Sequence, residues 1–169
     1  MPLAYKFLAE GRTGPFSGFA WPPPGEWVEA DGPVEVCRCG VHACEVGDLP
    51  EWLYDELWRI ELEGEIARTG EILVAERGRL VSRVDGWDEA ASSDFARACA
   101  ERLRERAERD ERFVPYAEDA ANTIAAATDP RRTALVSFMA RHAAAEVDAG
   151  GWQAEREWQA RLLADRLGL

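Results

Sequence analysis

This chain is poor in histidine, poor in cysteine and short of positive charge. It has two histidines and four cysteines in 169 residues. Lys and Arg number 20 against 32 Asp and Glu, a formal net charge of -12. Phosphate binding needs a basic face and none is visible, so nucleic acid is not an expected partner. Anionic membrane surfaces are disfavoured for the same reason. No apolar run reaches the length of a membrane-spanning helix. The start, Met1-Pro2-Leu3-Ala4-Tyr5-Lys6, lacks the charged-then-apolar layout of a signal peptide. A cytoplasmic setting with reduced cysteines is therefore expected. Neither a dinucleotide fingerprint nor a phosphate-binding glycine loop occurs, so no organic cofactor is expected. Internal repeats and low-complexity tracts are also missing.

What remains is a globular composition, 47% hydrophobic and 31% charged, long enough to bury a core. Its character changes near Trp87. Residues 1–87 alternate short apolar runs with Gly and Pro. Residues 88–169 are alanine-rich, with apolar spacings of three and four. The spacing predicts strands at Tyr5–Leu8, Val34–Cys37 and Leu57–Glu63. Ile72–Ala75 and Leu80–Val84 read as a hairpin turning at Gly78. Gly11 to Pro24 is a long loop, yet it carries Phe16, Phe19 and Trp21, so it is expected to lie packed on the body. A short helix is predicted at Leu49–Leu53, capped by Asp48. Helices are predicted from Asp88 to about Arg109, Pro115 to Ala127, Pro130 to about Val147 and Trp152 to Leu167, with Gly168 as a C-terminal stop. The fold class is α+β: a small, mostly antiparallel sheet packed against a bundle of about four helices. The two halves are expected to form one cooperative domain.

Chemistry concentrates in Cys37-Arg38-Cys39-Gly40-Val41-His42-Ala43-Cys44. Side chains two apart on a strand share a face, so the thiols of Cys37 and Cys39 would converge, and His42 and Cys44 would follow after a turn at Gly40. Three readings stay open. A Cys3His set suits tetrahedral zinc, but eight contiguous residues close a tetrahedron poorly, so a largely metal-free protein is expected. In the second reading the cysteines, Cys39 and Cys44 above all, are small buried hydrophobes. In the third reading His42 is a general acid or base, with Cys37 and Cys44 beside it.

Seven tryptophans are many for this length. Aromatics line pockets and also fill cores. Trp21, Phe19, Trp58 and Arg59 are the candidate substrate-binding residues. Arg59, Glu61 and Glu63 share a strand face that reads first as a solvated sheet surface. His142 reads as a core-edge histidine beside Phe138 and Glu146. Asp119, Asn122 and Thr123 read as a buried hydrogen-bonded set in an alanine-rich helix. Glu101 to Arg112 reads as a solvated face laced with Glu–Arg pairs.

Tyr5-Lys6-Phe7-Leu8, Pro15-Phe16-Ser17-Gly18-Phe19, Gly40-Val41-His42-Ala43-Cys44 and Asp48-Leu49-Pro50-Glu51-Trp52-Leu53 together resemble a family of uncharacterised actinobacterial proteins. The tail Ala154-Glu155-Arg156-Glu157-Trp158-Gln159-Ala160 resembles the same group. The Cys-x-x-Gly-x-His-Ala-Cys core is similar to a domain of unknown function in bacterial and phage proteins. Cys39 is not part of that pattern. The resemblance implies a two-part architecture and a bacterial, intracellular setting, and it supplies no reaction. Two function classes follow. One is a small-molecule-processing enzyme using acid/base chemistry (cyclisation, isomerisation or hydrolysis) in an aromatic-lined pocket near His42. The other is a non-enzymatic interaction or regulatory module with a structural Cys–His turn. Oligomeric state is not legible.

Overall fold

The computed structural model describes residues 4–36, 38–126 and 131–169. Met1-Pro2-Leu3, Cys37, Ala127 and Pro130, which figure in the expectations above, lie outside the described residues. The described chain is α+β, with an antiparallel sheet in the N-terminal half and four helices in the C-terminal half. It divides into two compact units, Met1–Trp87 and Asp88–Leu169.

The N-terminal unit is built from β1 (Ala4–Leu8), β2 (Val28–Glu29), β3 (Val41–Ala43), β4 (Glu56–Thr69) and β5 (Ile72–Arg83). Strand β4 lies between β1 and β5, and the outer edge of β5 takes β3 and then β2. Beyond β3, Tyr5 N–H donates to the Cys44 carbonyl at 2.8 Å and Cys44 N–H to that of Tyr5 at 2.9 Å. The backbone pairing therefore runs β1–β4–β5–β3 and back to β1. The join is a single residue pair, so it narrows the open edges without forming a full ladder. Ala4 and Leu8 of β1, Val41 and Ala43 of β3, and Trp58, Ile60 and Leu62 of β4 fill one shared core. Strand β1 is buried on its other face too, through Tyr5 and Phe7, and Phe7 meets the Trp87 ring edge-on at 5.5 Å.

Three expectations need correction. The hairpin does not turn at Gly78. Strand β5 runs straight through it, and the reversal falls between Thr69 and Ile72, where Gly70 has φ +57°. Gly78 is there for close approach: a Cβ would stand 2.7 Å from Val41 Cγ1 and 3.2 Å from the Glu61 carbonyl oxygen. No strand forms at Val34–Val36. Glu35 and Cys39 exchange backbone hydrogen bonds across a tight turn, and the strand begins only after Gly40. The short helix is a 3₁₀ turn, Val46–Glu51, and Asp48 does not cap it. The Asp48 carboxylate is buried instead and accepts from Arg68 Nη2 at 3.1 Å. On the polar face of β4, Glu61 and Glu63 pair with Arg79 and Arg77, both at 2.7 Å, as a solvated sheet face should.

The C-terminal unit comprises α1 (Glu89–Ala107), α2 (Val114–Ala126), α3 (Arg131–Val147) and α4 (Gly151–Leu167). Asp88 caps α1 by accepting from Ala91 N–H at 2.8 Å, and Gly168 ends α4 in the left-handed region. Small residues such as Ala96, Ala120, Ala140 and Ala144 fill its interior beside Phe95, Leu103 and Leu163. Arg104 pairs with Glu101 and Glu108 on the exposed face of α1. Asp119 and Asn122 are exposed, and Thr123 bonds only the Asp119 carbonyl one turn back, so no buried polar set forms there. His142 is exposed and stacks on Phe138 at 5.8 Å.

The packing at Gly78 yields a direct expectation. Gly78→Ala should destabilise the protein by about 1–3 kcal/mol, because the added methyl meets backbone as well as side chain. Urea unfolding measures it; an unchanged midpoint would show that the contact is not tight.

Candidate functional site

The closure of the sheet places β1 and β3 side by side, and a cavity of about 680 Å³ opens there. Its lining includes Lys6, Phe16, Phe19, Trp21, Cys39 and His42. The aromatic wall comes from the loop after β1. Trp21 is buried in the core, Phe19 meets it edge-on at 5.8 Å, and Phe16 stands 86% exposed at the loop tip. The expectation of a packed loop thus holds for Trp21 and fails for Phe16.

A buried carboxylate anchors this loop. Glu56, 6% exposed, opens β4. Its oxygens accept from Gly11 N–H at 3.1 Å, from Arg12 N–H at 3.3 Å and from Trp58 Nε1–H at 2.9 Å. Arg12 sits at φ +61°, a conformation that favours glycine, and these bonds help to hold it there.

The loop leading into β3 reaches the cavity through Gly40. Its φ is +133°, and a Cβ would lie 2.4 Å from Val74 Cγ1. After that turn, strand alternation sends Val41 and Ala43 into the core and His42 and Cys44 to the opposite face. His42 is half-buried. Burial and the nearby Lys6 charge lower its pKa, while a hydrogen bond to the Gly40 backbone opposes them. The imidazole is therefore neutral near pH 7. Cys44 is 2% exposed, and burial, helped by the Asp48 carboxylate, pushes its thiol up to about 12. A thiol so raised is not a nucleophile at neutral pH, and it packs as a small apolar group.

Lys6 is the residue that the reading of the sequence missed. It follows the alternation of Ala4 and Leu8, so it occupies a core-facing position on β1. Its Nζ donates to the His42 carbonyl oxygen at 2.5 Å and lies 5.2 Å from the centre of the Trp21 ring. Burial lowers its pKa from 10.5 to about 8. A signal existed: Lys6 is the single lysine of the chain, every other basic residue among the 20 being arginine. It also interrupts an otherwise apolar strand.

The site residues named from the sequence therefore separate. His42, Cys44, Phe19 and Trp21 line the cavity. Trp58 faces the core and spends its indole N–H on Glu56, and neither it nor Arg59 is among the lining residues. Cys37 lies outside the described residues. Among the described residues no group of three or more His, Cys, Asp or Glu is arranged to hold a metal ion.

A family model described as a domain of unknown function (DUF7666) matches residues 2–92. The chain belongs to this family. The matched DUF7666 segment spans the N-terminal unit and the first residues of α1, so it contains the whole cavity lining. Nothing among the curated proteins or the solved structures matches the chain. The family description carries no activity, so the chemistry has to be read from the cavity itself. No described helix is long and apolar enough to cross a membrane.

The anchor of the aromatic wall can be tested. Glu56→Ala leaves two backbone N–H groups and one indole N–H without their acceptor, each costing about 1–3 kcal/mol when buried. The variant should lose at least about 2 kcal/mol of stability, and tryptophan emission should shift red as Trp21 is released. Wild-type emission and unfolding midpoint in the variant would show that the loop is held by other means.

Proposed function

We propose that the DUF7666 unit binds a small molecule in this cavity and processes it by acid/base chemistry, with His42 as the proton-transfer group. One observation carries the reading: His42 lies on a cavity of about 680 Å³ walled by Phe19 and Trp21, not in a filled turn. A cavity of that size suits a compact organic ligand. The lowered pKa of His42 keeps its imidazole in the base form at neutral pH, as proton abstraction requires. The Lys6 ammonium beside it supplies positive charge toward developing anionic character. Cyclisation, isomerisation and hydrolysis can each use that pair of functions. Cys44 contributes packing and no nucleophile. We also propose a bacterial cytoplasmic setting, in which Cys39, Cys44 and Cys99 would stay reduced.

His42→Gln separates chemistry from structure. Glutamine keeps a donor for the Gly40 backbone, so the change should move stability by less than about 1 kcal/mol. Wild-type protein incubated with small-molecule extract fractions should consume a component seen by mass spectrometry, and the variant should not. Equal consumption, or a large fall in melting temperature, would reject the catalytic role.

A further inference from the structure

Lys6 is an ammonium group in a place that ordinarily excludes one. Among the described residues no carboxylate pairs with it: its contacts are the His42 carbonyl and the Trp21 ring. The chain has 32 acidic residues, and several arginines of the same sheet find acidic partners, such as Arg68 with Asp48 of the 3₁₀ turn and Arg79 with Glu61. An ammonium has three donors. The His42 carbonyl takes one, and the Trp21 face offers only a diffuse attraction. A buried cation so poorly compensated is costly unless another group completes its shell.

The surroundings define that group. Lys6 lines the cavity, so a ligand can reach it. The aromatic wall suits an apolar body. Glu29, Asp31 and Arg38 also lie on the lining; Arg38 pairs with Glu35 at 3.0 Å, so the two carboxylates prevail and oppose strongly charged anions such as phosphate dianions. We propose that the cavity takes a small carboxylic acid with an apolar body, its single carboxylate paired with Lys6 Nζ. This inference rests on the pocket reading above and adds the class of ligand.

The titratable groups acting on Lys6 are His42 and Cys44, both neutral near pH 7. Tyr5, Glu29, Asp31, Arg38 and the free thiol of Cys39 also line the cavity, and the pH series is repeated in Cys39→Ser so that a thiolate there is not mistaken for loss of the ammonium. Binding of the acid then follows the charge on Lys6. The ammonium is present below its pKa of about 8 and is lost as pH rises through that value. Affinity should fall between pH 7 and pH 9.5.

The test uses the full chain and three probes: phenylacetate, phenylpropionate and phenylbutyrate, each beside its primary amide, with inorganic phosphate as a control. Titration calorimetry at pH 7 should show at least one acid binding about tenfold or more tighter than its amide, as a charge-assisted hydrogen bond gives. The preference should vanish in Lys6→Met, and in the wild type at pH 9.5, which covers the case of a variant that fails to fold. Acid and amide binding alike would overturn the carboxylate assignment and leave the pocket standing. Phosphate binding as tightly as the acids would overturn the apolar-body requirement. A preference that survives in folded Lys6→Met would remove Lys6 from the site. Failure of every acid and every amide to bind at millimolar concentration would overturn both the pocket reading and this one.

Discussion

Two backbone hydrogen bonds between Tyr5 and Cys44 bring together the two strands that flank the cavity of the N-terminal unit. They join β3 to β1 and complete the circuit that β4 and β5 leave open. The join is made at one residue pair, so the flanking groups are not matched as in a regular ladder. The His42 carbonyl, two residues before Cys44, points to a place where β1 offers a lysine ammonium in place of a backbone N–H. A buried carbonyl must find a donor. Lys6 is that donor, and the Trp21 ring supports its charge. Closure, buried charge and aromatic wall are thus one arrangement.

The same logic governs the other buried polar groups, in both units. Glu56 receives the backbone of the loop that carries Trp21, and Asp48 receives Arg68. In the C-terminal unit, Arg141 Nη1 donates to Ser137 Oγ and to Gln159 Oε1, each at 2.7 Å, while Glu155 takes Arg102 at 2.9 Å and Arg106 at 2.6 Å. Alanine-rich helices offer little shape to choose a register, and such a network does so, because a slipped pairing would strand a buried charge. Arg102 also covers the Trp158 ring at 4.4 Å, which uses its planar cation twice. At Lys6 the buried charge meets a carbonyl and a ring.

What was legible in the sequence was what local chemistry decides. The change of character at Trp87, the cap at Asp88, the stop at Gly168 and strand β1 all follow from periodicity or from one residue's backbone preference. What was not legible depends on distant partners. Gly78 reads as a turn until Val41 and Glu61 are known to press on it. Val34 and Val36 favour a strand, yet they have no strand beside them and end in a turn. Asp48 sits where a cap belongs, and Arg68, twenty residues on, claims it. His42, Phe19 and Trp21 were singled out because their residue types advertise chemistry, and all three line the cavity. Trp58 advertises it equally and faces the core. Lys6 was passed over because a lysine in a first strand reads as a surface residue until the circuit closes around it.

The account turns on a charged Lys6 held inside the N-terminal unit, and the chain's single lysine makes that directly measurable. Protein labelled with carbon-13 lysine should give one ε-methylene signal, shifted upfield by the Trp21 ring. Its titration followed by NMR should show a midpoint at about 8. A midpoint near the ordinary 10.5, with shifts like those of a free lysine, would contradict the account by placing the ammonium in solvent.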